Sequence, residues 1–140
     1  MICLDTNAVI AILNSKTNPV RSRLESVLAE GHQVVISSIV YFELWYGVAK
    51  SAHHDRNARR IADFMEIGVE ILHFDEEDAR EAGKIRADLA QAGTPIGPYD
   101  VLIAAQARRR NALLITANGR EFFRVPELKA ENWAEPLQGM

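Results

Sequence analysis

Short apolar runs alternate with longer helical segments along most of this chain, and this alternation is the strongest constraint on its fold. Four runs are predicted to be buried strands, because they are apolar, rich in aliphatic residues and short. They are Met1–Leu4, Val34–Ile36, Val69–Phe74 and Leu113–Ile115. Strands that are separated by helices pair in parallel, since a tight hairpin cannot join them. The pattern therefore predicts an α/β sandwich built around a mostly parallel sheet.

Helices are predicted between these strands from apolar residues at helical spacing and from capping and breaking residues. The predicted helices are Ala8–Leu13, Val20–Glu30, Ile39–Ser51, Asp55–Glu66, a long helix from its cap Asp75 to Gly93, and Tyr99–Arg110. Beyond Ile115 we expect only short, irregular structure. The 140 residues match the usual size of one domain, so a single domain over residues 1–140 is expected.

Three carboxylates stand alone in apolar sequence. Each is the only charged residue of its stretch: Asp5 in residues 1–15, Glu43 in 33–49 and Asp100 in 90–106. A carboxylate in an apolar setting is costly unless it is paired, hydrogen-bonded or bound to a metal. The isolation of these acids therefore predicts a specific role for each of them.

Two of these acids are expected at the same edge of the sheet. Asp5 follows the first predicted strand, and Glu43 lies one turn into the helix after the strand Val34–Ile36. Parallel α/β sheets bind ligands beyond the carboxyl ends of their strands, so both acids belong to that edge. Asp100 opens the helix before the last predicted strand, and its spacing alone does not place it there.

The chemistry of the three acids favours a divalent cation. Carboxylates gathered without a basic partner repel one another, so either some hold protons or a cation holds them together. Oxygen ligands suit Mg²⁺ or Mn²⁺, and no histidine stands at zinc-ligand spacing from the acids. Structural roles stay open as well: Asp5 as a helix N-cap, and Asp100 as an acid that favours a helix N-terminus.

Four segments, in order along the chain, resemble the motifs of the PIN-domain ribonucleases. They are Ile2–Asn7, Ser38–Gly47, Pro95–Ala105 and Ile115–Phe122, and the ending with Val125–Leu128 and Glu131–Trp133 is typical of the VapC toxins within that family. The resemblance spans nearly the whole chain. It implies a three-layer α/β/α sandwich with a central, mostly parallel sheet. It also implies a metal-dependent endoribonuclease that is the toxin of a type II toxin–antitoxin pair.

The resemblance also implies the members of the site. Carried over by position, Asp5, Glu43 and Asp100 are the acids that hold Mg²⁺ or Mn²⁺. Glu121 matches a fourth catalytic acid, although a surface role beside arginines explains it equally well. Three further residues are expected to hydrogen-bond these acids: Thr6, Thr116 and Asn118. Hydrolysis of RNA by a metal-activated water would leave 5′-phosphate and 3′-hydroxyl ends.

The same resemblance implies the partners of the chain. They are an RNA substrate, a VapB-like antitoxin, a second copy in a homodimer, a toxin–antitoxin hetero-oligomer, and operator DNA reached only through the antitoxin. Phe42, Trp45 and Tyr46 exceed the aromatic surface that one buried helix face needs, so a partner groove and simple burial are both open. The alternative function is a catalytically weak PIN-like partner that acts through an antitoxin complex on DNA.

The charge of the chain excludes a protein held to nucleic acid by bulk positive charge. Its 19 acids outnumber its 16 lysines and arginines, for a net charge of −3. The charge is uneven, because residues 63–83 carry −7 whereas residues 50–60 and 101–133 each carry +3. Local basic segments can still bind phosphates. The candidates for RNA contact are Arg86, Arg108 and Arg120, although at a helix C-terminus Arg108 also answers the macrodipole.

Two other classes that bind Mg²⁺ through acids fit less well. A response-regulator receiver needs paired acids after its first strand, and a haloacid-dehalogenase-type phosphatase needs an aspartate at the position of Asn7. The single cysteine, Cys3, excludes an intrachain disulfide framework. No stretch is long and apolar enough for a membrane span, so a soluble, cytoplasmic protein is expected.

Overall fold

A five-stranded parallel sheet lies at the centre of the protein, which a computed structural model describes over residues 1–117 and 119–134. The strands are β1 (Ile2–Leu4), β2 (Val34–Ser37), β3 (Glu70–Leu72), β4 (Leu113–Ile115) and β5 (Lys129–Glu131). They follow the order β3-β2-β1-β4-β5, and each neighbouring pair is parallel. The parallel sheet predicted from the alternation of strands and helices is confirmed.

Helices cover both faces of this sheet. Within the described ranges they are α1 (Thr6–Asn14), α2 (Pro19–Ala29), α3 (Ser38–Lys50), α4 (His54–Glu66), α5 (Glu76–Gln91), α6 (Pro98–Arg109) and α7 (Gly119–Phe122). Right-handed crossovers between parallel strands put α1–α4 on one face and α5–α7 on the other. The predicted three-layer sandwich is therefore confirmed. None of these helices is long and apolar enough to cross a membrane.

The central strand β1 fixes the position of the first lone acid. All three residues of β1 are buried, and Leu4 is in register with Ile36 of β2 and Ile115 of β4. The backbone N–H of Asp5 continues this pairing and donates to the carbonyl of Ile115 at 3.0 Å. The order of the strands reverses between β1 and β4, and parallel sheets bind ligands at such a point. Backbone pairing therefore holds Asp5 at the centre of the carboxyl edge.

The segment after β4 corrects one prediction. We expected only irregular structure beyond Ile115, but the chain forms α7 and then β5, which extends the sheet with Leu114 in register with Ala130. The strand Lys129-Ala130-Glu131 contains no apolar run. A short strand at the edge of a sheet is only partly covered, so it does not need one. Periodicity of apolar residues could not reveal such a strand.

Arginines at the end of α6 neutralise part of the acidic block on α5. Asp78 is fully buried and accepts hydrogen bonds from Arg109 Nε at 2.8 Å and Arg110 Nη1 at 2.7 Å. Burial raises the pKa of Asp78, but the hydrogen bonds from Arg110, from the backbone N–H of Asp75 and from Arg109 outweigh it and hold the pKa at about 2. These ion pairs join α5 to α6, the helix that carries Asp100.

Candidate active site

Asp5 is held rigidly where β1 meets α1. It is the N-cap of α1, and its Oδ1 accepts from the backbone N–H of Ala8 at 2.8 Å. Only 3% of the residue is exposed. Burial raises the pKa of Asp5, hydrogen bonds from Thr116 and Ala8 lower it, and the charge of Glu43 raises it, with a net rise. The capping role anticipated for Asp5 is real, and it coexists with a place among other acids.

Glu43 reaches the same edge from α3. Ser37 ends β2 and caps α3, which begins directly after the strand and carries Glu43 in its second turn. Thr6, the first residue of α1, donates its hydroxyl to Oε1 of Glu43 at 2.7 Å. This bond ties the carboxylate of α3 to the helix that Asp5 caps.

Asp100 brings a third carboxylate from the start of α6. Its pKa is raised to about 7, first by burial, then by a hydrogen bond with Glu121 and by the charges of Glu121, Asp5 and Glu43. Two carboxyl groups can share a hydrogen bond only if one of them holds a proton. Glu121, Asp5 and Glu43 therefore lie close enough to Asp100 for their charges to raise its pKa.

Gly97 lets the carboxylate of Asp100 lie against the backbone. Gly97 is the N-cap of α6. A Cβ atom built on it would lie 3.2 Å from Oδ2 of Asp100. That distance is tighter than ordinary contacts between carbon and its neighbours. The sequence alone does not reveal the closeness of Gly97 to Asp100, because it depends on how the side chain of Asp100 folds back.

The donor chemistry of the cluster fits a hard divalent cation. Asp5, Glu43 and Asp100 make no ion pair with a lysine, arginine or histidine within residues 1–117 and 119–134. In the same ranges, no three acidic, histidine or cysteine side chains already form a group that could hold a metal. Glu43 accepts a hydrogen bond from Thr6 and Asp100 shares one with Glu121, so these carboxylates would have to turn toward a cation to bind it. Mg²⁺ usually keeps several waters and binds through one or two carboxylates, so a complete protein cage is not needed.

The remaining predicted residues divide between the cluster and the rest of the surface. Thr6 hydrogen-bonds Glu43, and Thr116 hydrogen-bonds Asp5. Asn118 lies outside the described residues. Arg120 is exposed on α7, the helix that carries Glu121.

Two further arginines were predicted to contact RNA. Arg86 is exposed on α5 and lines a cleft of about 350 Å³ with Pro95, Ile96 and Pro98, just before Asp100 in the chain. Arg108 lies at the opposite end of α6 from Asp100, where it pairs with Glu81 at 3.2 Å. This ion pair gives Arg108 a structural role. From the sequence, the only structural role considered for Arg108 was an interaction with the helix macrodipole.

Comparison with known proteins identifies what this arrangement resembles. The family described as the PIN domain matches residues 2–128. The tRNA(fMet)-specific endonuclease VapC of Salmonella typhimurium is 39% identical over 130 residues, which cover 93% of this chain and 96% of that protein. Ribonuclease VapC2 of Rickettsia felis is also 39% identical, with the same coverage of both chains. The crystal structure of VapBC2 from Rickettsia felis bound to a promoter DNA fragment aligns with a TM-score of 0.89 at 38% identity, covering 95% of this chain and 99% of that one.

Proposed function

Because this chain belongs to the PIN-domain family, we propose that it is the ribonuclease toxin of a type II toxin–antitoxin pair. We further propose that its chemistry depends on Mg²⁺ or Mn²⁺ held by Asp5, Glu43 and Asp100, with Glu121 as a fourth catalytic acid. The observation that carries this proposal is the convergence of the acids on Asp100, whose pKa is raised to about 7 first by burial, then by a hydrogen bond with Glu121 and by the charges of Glu121, Asp5 and Glu43. Groups with strongly perturbed pKa values cluster at functional sites.

The chain's own groups supply the order that this chemistry needs. A divalent cation, when bound, would lower the pKa of an attacking water and offset the negative charge that develops on the phosphate. Asp5 is held by the N–H of Ala8 and by Thr116, so its carboxylate is already ordered, and Thr6 holds Glu43 at the same edge of the sheet. Glu121 lies against Asp100 and can take up the proton that the pair shares. The expected products carry 5′-phosphate and 3′-hydroxyl ends.

The names of the relatives suggest the first substrate to test. The Salmonella typhimurium and Shigella flexneri proteins are called tRNA(fMet)-specific endonucleases, so initiator tRNA is the proposed substrate. Purified toxin should be incubated with initiator tRNA and with an elongator tRNA in Mg²⁺, and the cleavage ends mapped. We expect one dominant internal cut in initiator tRNA. Absence of any internal cut in both RNAs would favour the alternative, a catalytically weak partner that acts only through an antitoxin complex on DNA.

The exposed aromatic face of α3 supports the proposed partners. Phe42 is 50% exposed and Tyr46 is 60% exposed, so simple burial does not account for these side chains. A cleft of about 170 Å³ beside Glu43 is lined by Ile10, Gly47 and Arg60, among others. Large exposed apolar side chains are typical of protein interfaces. We propose that a VapB-like antitoxin and a second copy of this chain cover such surfaces, and that operator DNA is reached only through the antitoxin.

The pKa of Asp100 predicts how affinity for the cation depends on pH. Below about pH 7 a proton stays on Asp100 and competes with the cation. We therefore expect the dissociation constant for Mg²⁺ to be on the order of tenfold higher at pH 6 than at pH 8. Calorimetric titration at the two pH values measures it, with Asp100→Asn as the control that lacks this proton. An affinity of the native protein that is equal at both pH values would contradict the assignment.

Adding a methyl group at Gly97 should disturb the site without unfolding the protein. In Gly97→Ala the new Cβ would lie 3.2 Å from Oδ2 of Asp100, so the carboxylate must move. We expect RNA cleavage to fall about tenfold, as for other changes to the surroundings of a metal ligand. Gly83→Ala is the matched control, because its Cβ would meet nothing within 4 Å on α5. Equal cleavage by the two variants would show that Gly97 has no such role.

A further inference from the structure

The two carboxyl groups that share a hydrogen bond come from parts of the chain that pack on different neighbours. Asp100 lies on α6, which packs on α5 and contacts α3 and β4. Glu121 lies on α7, a helix of four residues that packs chiefly on β5. Phe122 is buried and anchors α7 to the core. A contact that joins the segment of α7 to the loop before α6 would also hold the two carboxyl groups together.

Arg124 makes a contact of this kind. Its backbone N–H donates to the carbonyl of Glu121 at 3.1 Å and closes the turn that follows α7. Its side chain extends the other way, and Nη1 donates to the carbonyl of Pro95 at 2.9 Å. Pro95 lies in the loop that leads into α6, two residues before Gly97. One residue thus connects the segment of Glu121 to the loop that positions Asp100.

The chemistry of the contact suits a positioning role. A guanidinium is always charged, and its planar fork donates to a carbonyl in a fixed direction. The loop before α6 also contains Gly97, against which the carboxylate of Asp100 lies. A shift of this loop would therefore move the carboxylate together with the backbone that supports it.

We propose that Arg124 is a positioning residue, which holds Glu121 against Asp100 by joining the turn after α7 to the loop before α6. This inference rests on the proposed function, because its consequence is the affinity of the acid cluster for a divalent cation. In this role Arg124 acts through Glu121 and is not itself a ligand of the cation. Its loss should weaken cation binding through Glu121, while the buried anchors of α7 keep the fold.

The test measures Mn²⁺ binding by the purified full chain, with Mn²⁺ alone as the probe. Arg124→Met keeps the apolar stem and removes the donors, and Arg124→Lys restores one charged donor. Lys129→Met is the matched control, since it removes one exposed positive charge from β5. We expect Arg124→Met to raise the Mn²⁺ dissociation constant about tenfold, the usual size for a residue that orders a metal ligand. Arg124→Lys should recover part of this loss, and Lys129→Met should bind like the native chain.

A double-mutant cycle separates positioning from a general loss of stability. If Arg124 acts through Glu121, Arg124→Met should weaken Mn²⁺ binding little further in a Glu121→Gln background. Equal Mn²⁺ affinity of Arg124→Met and Lys129→Met would overturn the inference and leave the proposed function standing. Additive losses in the cycle, or a loss that follows the midpoint of thermal unfolding, would also overturn it. Failure of the native chain to bind Mn²⁺ would remove the proposed function and this inference together.

Discussion

Asp100→Asn is expected to abolish RNA cleavage and, at the same time, to stabilise the protein at pH 8 in the absence of divalent cations. Replacing the carboxylate would remove a charged group of the proposed metal site, and a bound metal supplies several kcal/mol of transition-state stabilisation, so cleavage should fall by at least about 100-fold. The pKa of Asp100 is about 7 in the folded protein, well above its ordinary value. Ionisation of Asp100 therefore destabilises the folded protein. This loss of stability grows as the pH rises from about 4 to 7 and stays constant above it. Asparagine does not ionise and escapes this cost.

Cleavage assays and thermal unfolding at pH 6 and pH 8 measure both effects. Asp88→Asn is the matched control, because Asp88 is an exposed aspartate on α5. The native chain should lose stability between pH 6 and pH 8 relative to Asp100→Asn, whereas Asp88→Asn should follow the native chain. Cleavage of RNA by Asp100→Asn at the native rate would contradict the assignment of Asp100 to the active site. A pH dependence of unfolding that is the same in Asp100→Asn and the native chain would contradict the raised pKa of Asp100.

Asp78→Ala is expected to lower the free energy of unfolding by about 3–5 kcal/mol, the usual cost of breaking a buried ion pair. The carboxylate is fully buried between the guanidinium groups of Arg109 and Arg110, which would lose their shared partner. The pKa of Asp78 is held at about 2, below its ordinary value. Its stabilising contribution is therefore present above about pH 4 and is lost as the pH falls from 4 to 2.

Urea denaturation at pH 7 and pH 3 measures this contribution. Glu76→Ala is the control from the same turn of α5, since the side chain of Glu76 is 83% exposed and forms a surface ion pair with Arg80. Surface pairs of this kind contribute about 0–1 kcal/mol. A loss in Asp78→Ala no larger than in Glu76→Ala would show that the α5–α6 ion pairs do not stabilise the fold.

The sequence predicted the position of a site residue correctly where that residue directly follows a strand that the apolar pattern reveals. Asp5 could be assigned to the carboxyl edge because it directly follows an apolar strand, and parallel pairing puts the ends of such strands side by side. Glu43 could be assigned to the same edge because its helix begins directly after β2. The strand β5 was missed because Lys129 and Glu131 lie at the edge of the sheet, where apolar residues are not required.

Contacts between distant segments could not be read from the sequence. Asp100 reaches the site only because the chain from β3 returns across the sheet through α5 and α6 to β4. The hydrogen bond between Asp100 and Glu121 depends on this crossover. Arg109 and Arg110 could be explained at a helix C-terminus by the macrodipole, but their partners on α5 are set by packing. The role of Gly97 likewise appears only when the side chain of Asp100 is seen.

The proposed function requires a divalent cation for RNA cleavage, held at the cluster of Asp5, Glu43, Asp100 and Glu121. The most direct test is cleavage of initiator tRNA by chelator-treated native protein, before and after addition of Mg²⁺ or Mn²⁺, with identically purified Asp100→Asn as the control for contaminating nucleases. We expect no cleavage in EDTA, recovery of cleavage with either cation, and no recovery in Asp100→Asn. Undiminished cleavage by the native protein in EDTA would contradict this requirement.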